Sequence, residues 1–530
     1  MMDDSVLWEE TSVERALVKV YGAAVSGIEA CKVTIEAQIS SGTKFMLVGL
    51  PDTAVKESHQ RIQAAIAESG YTYQEHRYII NMAPADLKKE GAAYDLPLAI
   101  AILSLSEKLP TERLSDTMIM GELALDGALR PIHGVLPMTI MAKRQGFKNI
   151  IVPRANAKEA SVIEGIRVFG AERLAEVVDY LSQGSTALKE YLYDEEEIFH
   201  HPLLHYADFA EVKGQEMVKR AIEVAASGQH NIIMVGPPGS GKSMMAKRVP
   251  SILPPFTKEE AQETTMIHSV AGTLPTHIAL MRERPFRAPH HSTSNVALVG
   301  GGSYPKPGEI SLAHNGVLFL DELPEFARNV LEVLRQPLED RQITVSRARQ
   351  TVTFPASFML VASMNPCPCG HYNNPFKECT CTEAQVKGYL GRISGPLLDR
   401  IDIQVEILPV PFEMLSSKQR GEPSEAIRER VMKARAIQKE RFKGMPGIYT
   451  NAQMTPAMMQ EFVHVDANGL MQLKQAMERF KLSARAYDRI LKVSRTIADL
   501  DASPDITIQH IGEAINYRKL DRGSWGTRTL

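Results

Sequence analysis

The sequence contains few cysteines and few aromatic residues. Its 530 residues include five cysteines and two tryptophans, and aromatic side chains make up 6% of the chain. Four cysteines fall within the fifteen positions 367–381, which argues against a disulfide scaffold spread over the chain. Neither sign of charge dominates, because 60 Lys and Arg residues are balanced by 63 Asp and Glu residues. This balance excludes a uniformly basic nucleic-acid coat, but it allows a local basic track.

Long apolar runs are also missing. The most apolar stretch, Leu96 to Leu105, is too short to cross a bilayer and contains Pro97. The first ten residues are acidic and lack the apolar segment of a secretory signal. Hydrophobic residues make up 44% of the chain and charged residues 23%, which is typical of globular proteins. We therefore expect a soluble, cytoplasmic protein with no membrane partner and roughly three domains of about 100–200 residues each.

Alternating strand and helix patterns predict an α/β fold class. We expect a polar extension over 1–15, an α/β domain over 16–185, a linker over 186–207, a second α/β domain over 208–410 and a helical region over 411–530. Three apolar segments of the second α/β domain alternate with helical patterns; they are Asn231 to Val235, Val317 to Leu320 and Phe358 to Ala362. This arrangement predicts a parallel sheet that binds its ligand at the carboxyl ends of the strands.

A phosphate-binding loop follows the first of these segments. It has the spacing G-x-x-x-x-G-K-[ST] and consists of Gly236, Pro237, Pro238, Gly239, Ser240, Gly241, Lys242 and Ser243. Its glycines allow backbone N–H groups to surround phosphate oxygens. We expect Lys242 to reach the β- and γ-phosphates of ATP, and the Ser243 hydroxyl to ligate Mg²⁺.

Polar side chains follow the other two strand segments. Asp321 and Glu322 come after the second segment, and Asn365 follows the third. We expect Asp321 to hold the Mg²⁺ shell and Glu322 to orient and deprotonate the attacking water. Asn365 is expected between the γ-phosphate and that water, although an asparagine before Pro366 is also typical of a simple turn. Together with the phosphate loop, these residues predict an ATPase.

The order and spacing of these motifs resemble those of AAA+ ATPases. Four further segments resemble the Mg-chelatase-like branch and, within it, the ComM/YifB family; they are 286–291, 307–316, 394–402 and 482–486. The resemblance extends over essentially the whole chain from about residue 16. It implies that 411–530 is a helical lid of the Mg-chelatase C-terminal type.

The same resemblance assigns two arginines. Arg400 resembles the arginine finger that reaches into the ATP site of a neighbouring subunit, and Arg485 resembles the second sensor arginine of the lid. A cation at the γ-phosphate would stabilise the charge of the transition state. A finger acting on a neighbour implies a ring, expected to be a homo-hexamer. The alternative for either arginine is an ordinary surface salt bridge.

The N-terminal α/β domain resembles the Lon protease domain in 88–93 and 120–136. Lon-type proteolysis needs a serine nucleophile activated by a lysine. The serine position falls at Ala93 and the lysine position at Leu136, with Lys143 as a second candidate for the lysine. Because alanine cannot act as the nucleophile, we expect a Lon-like domain without the catalytic dyad.

The four clustered cysteines have the spacing C-x-C, nine residues, C-x-C. They are Cys367, Cys369, Cys379 and Cys381, in an insert over 367–381. Four thiolates on two tight turns can surround one tetrahedral Zn²⁺, and in a cytoplasmic chain such clustering favours a metal over a disulfide. Structural zinc is the preferred interpretation, with unligated thiols and an iron–sulfur cluster as alternatives.

Residues 341–354 predict a β-hairpin with Arg347 and Arg349 at its tip. Arginines at an exposed tip suit contact with DNA phosphates, although a solvated tip is the alternative. The hairpin resembles in position the pre-sensor hairpin that lines the pore of ring helicases. The glycine-containing loop over 284–306 resembles the second pore insert.

The family resemblance implies a ring-forming, ATP-dependent DNA translocase. The leading hypothesis is a branch-migration helicase of homologous recombination or natural transformation, which acts on single-stranded and branched DNA alongside recombination proteins. The alternative is a Mg-chelatase-like ATPase that remodels a protein partner or inserts a metal ion; the Lon-like domain and the cysteine cluster argue against it. ATP-dependent proteolysis is a third hypothesis, which Ala93 argues against.

Overall fold

The computed structural model of the protein describes residues 17–107, 109–184, 188–193, 207–302, 305–347, 351–372, 374, 376–416, 420–445, 447–480 and 482–518. The expected polar extension and most of the expected linker lie outside these residues. The chain divides into two compact units, residues 1–201 with 265–281, and residues 202–264 with 282–530. No sequence pattern had set the 265–281 segment apart from the second α/β domain.

A mixed eight-stranded sheet forms the centre of the first unit. Its strands are β1 (Val18–Ser26), β2 (Glu29–Ser40), β3 (Phe45–Val48), β4 (Arg77–Ala83), β5 (Thr117–Ile119), β8 (Asn149–Pro153), β9 (Arg167–Ala171) and β10 (Lys189–Tyr191). Their order in the sheet is β10-β9-β8-β5-β1-β2-β4-β3. Strands β6 (Glu122–Leu123) and β7 (Leu129–Arg130) pair separately. The antiparallel pairing of β1 with β2, and of β2 with β4, forms the longest ladders of this sheet.

Six helices accompany this sheet in the described part of the first unit: Thr53–Lys56, Ser58–Glu68, Asp95–Ser106, Val135–Arg144, Arg154–Ser161 and Leu174–Gln183. The apolar stretch Leu96 to Leu105 forms most of the buried helix Asp95–Ser106. Its Pro97 is tolerated because it lies in the first turn, where a backbone N–H has no helical partner. Helices Thr53–Lys56 and Ser58–Glu68 meet at Glu57.

The second unit contains the parallel sheet that the sequence predicts. Its order is β12-β15-β18-β11-β19, and all pairings are parallel. The strands are β11 (Ile232–Val235), β12 (Phe286–Arg287), β15 (Val317–Leu320), β18 (Met359–Met364) and β19 (Ile403–Glu406). Two hairpins lie outside this sheet, β13 (Gly300–Gly301) with β14 (Lys306–Pro307) and β16 (Gln342–Ser346) with β17 (Thr351–Pro355). The carboxyl ends of β11, β15 and β18 therefore share one edge.

Helices account for most of the remaining described residues of the second unit. Those before residue 411 are Glu216–Gly228, Lys242–Ala246, Val249–Ile252, Asn295–Val299, Glu309–Leu312, Arg328–Glu332, Arg335–Asp340, Glu383–Leu390 and Gly395–Leu398. Helix Lys258–Ala271 begins in this unit and ends in the first. The C-terminal region is helical, as expected, with Phe412–Ser416, Ser424–Arg441, Pro456–Phe462, Ala467–Phe480, Ala484–Leu500 and Ile508–Asn516.

One hydrophobic core joins the sheet of the second unit to its C-terminal helices. Ile232 of β11 and Val361 of β18 belong to the same buried cluster as Val431, Ile490 and Ile497. Burial of such side chains stabilises the unit by about 1.5–3 kcal/mol each. Among the described residues, no helix is long and apolar enough to pass through a bilayer.

Candidate functional site

The phosphate loop connects β11 to helix Lys242–Ala246. Gly239 and Gly241 have φ angles of 78° and 93°, which favour glycine because a Cβ would be strained there. At Gly236 a Cβ would lie only 2.3 Å from the carbonyl oxygen of Ile407. The Gly236 N–H donates to the carbonyl oxygen of Met364 at 3.2 Å. The loop is therefore fixed to the carboxyl end of β18.

Lys242 lies at the centre of this site. Its Nζ donates to the carbonyl oxygens of Gly236 at 2.7 Å and Pro237 at 2.9 Å, and to Oδ1 of Asn365 at 3.2 Å. Burial lowers the pKa of Lys242, and the nearby carboxylates of Asp321 and Glu322 oppose that shift. The structure thus brings the predicted phosphate cation and the predicted sensor amide into direct contact.

Ser243 and Asp321 form the candidate Mg²⁺ site. The Ser243 Oγ donates to Oδ2 of Asp321 at 2.6 Å, and the Ser363 hydroxyl donates to the other carboxylate oxygen. Hydroxyl and carboxylate oxygens are ligands that Mg²⁺ prefers. Sequence reasoning missed Ser363, although a serine near the end of an apolar strand was a signal for it. These contacts fix the orientation of the Asp321 carboxylate.

Glu322 lies next to this pair in an unusual backbone conformation. Its φ is 53°, a left-handed value that is uncommon for non-glycine residues and often occurs at functional sites. The exposed Glu322 side chain places Oε2 3.6 Å from Nδ1 of His291. His291 lies in the segment 286–291, which is one of the segments that resemble the family, but the sequence indicated no role for this histidine. The predicted base thus has an imidazole neighbour.

Both arginines assigned by resemblance contact their own chain. The Arg400 side chain is 9% exposed, and its Nη2 lies 2.6 Å from Oε1 of Glu339. Its Nη1 donates to the carbonyl oxygen of Pro396 at 2.6 Å. The exposed Arg485 has Nη1 3.8 Å from Oδ2 of Asp399. Their contacts in the described chain are therefore outside the phosphate loop.

A buried ion pair attaches the C-terminal helix Ala484–Leu500 to the start of β19. Asp402 lies 3.0 Å from Nη1 of Arg489 and accepts the N–H of Asn231 at 2.8 Å. Burial alone would raise the pKa of Asp402, but Arg489, the His230 ring and the Asn231 N–H hold it well below its usual range. Burial also lowers the pKa of His230. This pair links the C-terminal helices to the sheet whose strand ends hold the predicted nucleotide-binding residues.

The predicted hairpin is present as β16–β17, and buried and exposed side chains alternate along both strands. Its buried side chains are Ile343, Val345, Val352 and Phe354. The exposed Arg347 follows β16, whereas Arg349 lies outside the described residues. A Cβ on Gly301 would lie 2.8 Å from Nη2 of Arg347. The guanidinium therefore packs against the β13–β14 hairpin, and the structure brings the two predicted pore elements together.

The four cysteine sulfurs converge on one point. The Sγ of Cys367 lies 3.3 Å from that of Cys369 and 3.6 Å from that of Cys379, and Cys369 and Cys379 are also 3.6 Å apart. With Cys381 included, all four sulfurs lie within 4.8 Å of one another. Zn–S bonds of about 2.3 Å in a tetrahedron imply S–S separations of about 3.8 Å, whereas a disulfide needs about 2 Å. The cluster can therefore bind a metal ion.

The two positions predicted to match a Lon dyad contain no reactive side chain. Ala93 lies in the turn Ala92–Tyr94, and its carbonyl oxygen accepts the N–H of Gly121 at 2.9 Å. Leu136 is fully buried in helix Val135–Arg144, and its N–H donates to Oε1 of Glu159 at 2.9 Å. Lys143 lies in the last turn of the same helix. Leu136 thus serves the core of the first unit.

Three sequence profiles of magnesium chelatase match the chain. "Magnesium chelatase, subunit ChlI" matches 208–415, "Subunit ChlI of Mg-chelatase" matches 35–156, and "Magnesium chelatase, subunit ChlI C-terminal" matches 421–518. The first includes the phosphate loop, the acidic pair, the sensor position and the cysteine cluster. The third includes most of the C-terminal helical region. The matches therefore extend over both units.

Whole-length relatives narrow the family further. Competence protein ComM of Haemophilus influenzae is 43% identical over 96% of this chain and 98% of its own length. The Escherichia coli protein YifB is 44% identical over 95% of this chain and 97% of its own length. A partial match is also found: Lon protease 2 of Bacillus subtilis is 29% identical, but over only 23% of this chain and 22% of its own length. The chain therefore belongs to the ComM/YifB family, whose AAA+ domain resembles that of magnesium chelatase.

Proposed function

We propose that this protein is a ring-forming ATPase that translocates DNA and drives branch migration during natural transformation or homologous recombination. The observation behind this proposal is the position of the β16–β17 hairpin in the chain. The hairpin lies between Glu322 at the end of β15 and Asn365 after β18, and those two strands are paired. A shift of either residue on ATP hydrolysis would therefore act on the segment that holds Arg347.

The DNA contact in this proposal is electrostatic. Arg347 is exposed, and its guanidinium packs against the β13–β14 hairpin. Both hairpins therefore support the side chain that would contact DNA. Arginine at such a tip can contact phosphate oxygens without reading the bases. This suits an enzyme that moves along single-stranded and branched DNA of any sequence, with recombination proteins as partners. We place this activity in the cytoplasm. The link to natural transformation follows the ComM relative, which is a competence protein by name.

The ring is proposed as a homo-hexamer with Arg400 as the finger. Arg400 lies two residues after helix Gly395–Leu398 and three residues before β19. To reach the ATP of a neighbouring subunit, its guanidinium must leave Glu339. Arg485 in the lid would contribute the second cation in cis or in trans. A neighbouring cation at the γ-phosphate would couple hydrolysis to assembly.

Structural zinc is the cofactor that we propose beside ATP and Mg²⁺. The sulfur separations of Cys367, Cys369 and Cys379 are close to those of a tetrahedral Zn–S₄ centre. The Tyr372 N–H also donates to the Cys367 sulfur at 3.3 Å, a contact that stabilises a thiolate. Unligated thiols and an iron–sulfur cluster are the outcomes that metal analysis would distinguish.

A chelatase-like function is the second candidate, because all three matching profiles are described as magnesium chelatase. In that case the ATPase would remodel a protein partner or insert a metal ion. ATP hydrolysis should be measured alone and with single-stranded, duplex and four-way DNA. Stimulation of at least several-fold, greatest with four-way or single-stranded DNA, is expected. Stimulation by a protein partner with no response to any DNA would favour the second candidate.

A further inference from the structure

We propose that the four-cysteine loop is a brace for the phosphate loop, so that metal in the cluster controls how tightly the protein binds ATP. This inference rests on the proposed ATP and zinc sites. It adds a role to the metal, which would otherwise only stabilise its own loop.

The chain path places the cluster beside the nucleotide site. The Oδ1 of Asn365 accepts a hydrogen bond from the Lys242 ammonium at 3.2 Å. Cys367 is the second residue after Asn365. Only Pro366, whose ring fixes its backbone φ, separates the sensor amide from the first metal ligand. The position of the Cys367 sulfur therefore constrains the position of Asn365.

A second contact joins the cysteine turn to the phosphate loop directly. The Gly370 N–H donates to the carbonyl oxygen of Cys367 at 3.0 Å, which closes the turn that contains Cys369. A Cβ on the buried Gly370 would lie 2.5 Å from Cδ and 2.8 Å from Cγ of Pro238. The turn therefore packs against the phosphate loop so closely that a methyl group on Gly370 would not fit.

The loop has little apolar packing of its own. Its buried cluster consists of Cys367, Tyr372 and Val386, with Leu390 and the other three cysteines partly buried against it. Such a small core is insufficient to order a loop, and small metal-ligated loops depend on the ion for their fold. We therefore expect the turn against Pro238 to keep its shape only while the metal is bound.

The consequence concerns ATP. When the metal is bound, the cysteine turn fixes the positions of Pro238 and Asn365. The phosphate loop then has its ATP-binding geometry before ATP binds. Without the metal, the cysteine turn and the adjoining part of the phosphate loop must become ordered when ATP binds. The entropy cost of that ordering weakens the affinity for ATP. Loss of metal should therefore raise the dissociation constant for ATP and lower turnover, while leaving the unit folded around its main core.

Metal removal from the full-length protein tests this directly. Zinc per chain, ATP affinity and ATP turnover are measured on one sample before and after a thiol-modifying reagent and chelator, and again after thiol release and addition of Zn²⁺. About one zinc per chain, a loss of ATP affinity of about tenfold on removal, and recovery with Zn²⁺ are expected. One zinc per chain with unchanged ATP affinity after removal would overturn the brace but not the metal site. Absence of metal from the active protein would overturn both.

A matched pair of glycine variants separates the contact from the metal. Gly370→Ala keeps all four cysteines, but its methyl group meets Pro238, and its φ of 79° adds strain. We expect it to retain zinc and to bind ATP several-fold more weakly. Gly388→Ala is the control, because that glycine lies in helix Glu383–Leu390 with open space at its Cβ. Equal ATP affinity in both variants, with zinc retained, would contradict the brace.

Discussion

Arg400 and Glu339 form an ion pair within one chain, with Nη2 and Oε1 2.6 Å apart. If Arg400 acts on a neighbour's ATP, this pair must break when the ring forms. Glu339 is partly exposed, so the pair is worth about 1 kcal/mol. We therefore expect Glu339→Gln to reach half-maximal ATPase activity at a severalfold lower protein concentration than the unchanged chain.

Subunit mixing tests whether Arg400 acts in trans. Arg400→Ala should bind ATP but hydrolyse it at least about 100-fold more slowly, because transition-state charge is no longer neutralised. Lys242→Ala has an inactive ATP site but an intact finger. A mixture of the two inactive variants should recover measurable ATPase activity. Normal turnover by Arg400→Ala alone would show that the arginine is only a structural ion pair.

Lys242 and Glu322 should separate ATP binding from hydrolysis. Lys242→Ala removes the cation that lies between Asn365 and the loop carbonyls, so ATP turnover should be abolished. Glu322→Gln keeps the side-chain shape but removes the base, so ATP should still bind while hydrolysis slows at least about 100-fold. Equilibrium binding and single-turnover hydrolysis measure the two effects separately. Near-normal turnover in the Gln variant would refute the assignment of Glu322.

His291 is expected to position the Glu322 carboxylate. Its Nδ1 lies 3.6 Å from Oε2 of Glu322, so removal of the ring frees the carboxylate to adopt other rotamers. We expect His291→Ala to lower kcat about tenfold with little change in the KM for ATP. Asn295→Ala is the control, because Asn295 is exposed in the same stretch of chain. A fall in kcat of the same size in both variants would indicate a general effect on the segment.

The nucleotide motifs were predictable because each follows a strand end. Lys242, Asp321 and Asn365 come after three strands of one parallel sheet, and parallel strands bring their carboxyl ends to a common edge. Local apolar patterns were enough to locate those strands. The convergence of the four cysteines was likewise expected, since two C-x-C turns on one short loop cannot lie far apart.

The partners of these residues could not be predicted in the same way. Arg400 and Glu339 are far apart in the sequence, and their pairing depends on how two short helices pack. The contact of Gly370 with Pro238 depends on the same kind of detail, because a glycine has no side chain to indicate a neighbour. Packing across loops is decided by the three-dimensional arrangement, which periodicity and spacing do not contain.

The buried pair around Asp402 predicts how stability depends on pH. The pKa values of Asp402 and His230 are both lowered in the folded chain, so the unfolded chain takes up protons first as pH falls. Stability from His230 should decline as pH drops below about 6.5, and stability from Asp402 as it drops below about 4. Calorimetric unfolding between pH 8 and 5 should show less pH dependence in His230→Gln. The exposed His76→Gln should behave as the unchanged chain; an equal effect of both would contradict the assignment.

Arg347 and Arg349 are expected to hold DNA without taking part in hydrolysis. The double change to Ala should weaken DNA binding and flatten its salt dependence by about one unit of slope for each lost phosphate contact, because fewer counterions are released. The loss should be similar for all sequences, since phosphate contacts contain no base information. Basal ATPase activity should survive, and branch migration should fail.

The control for this variant removes the same charge elsewhere. Lys433 and Lys439 are exposed on helix Ser424–Arg441, and their change to Ala should leave DNA affinity and its salt slope close to those of the unchanged chain. If both double variants weaken binding equally, the effect is one of net charge and the hairpin has no special part. If the Arg347 and Arg349 variant migrates four-way junctions normally, the pore-hairpin assignment is wrong, while the ATPase assignment, which depends on Lys242, Asp321 and Glu322, is unaffected.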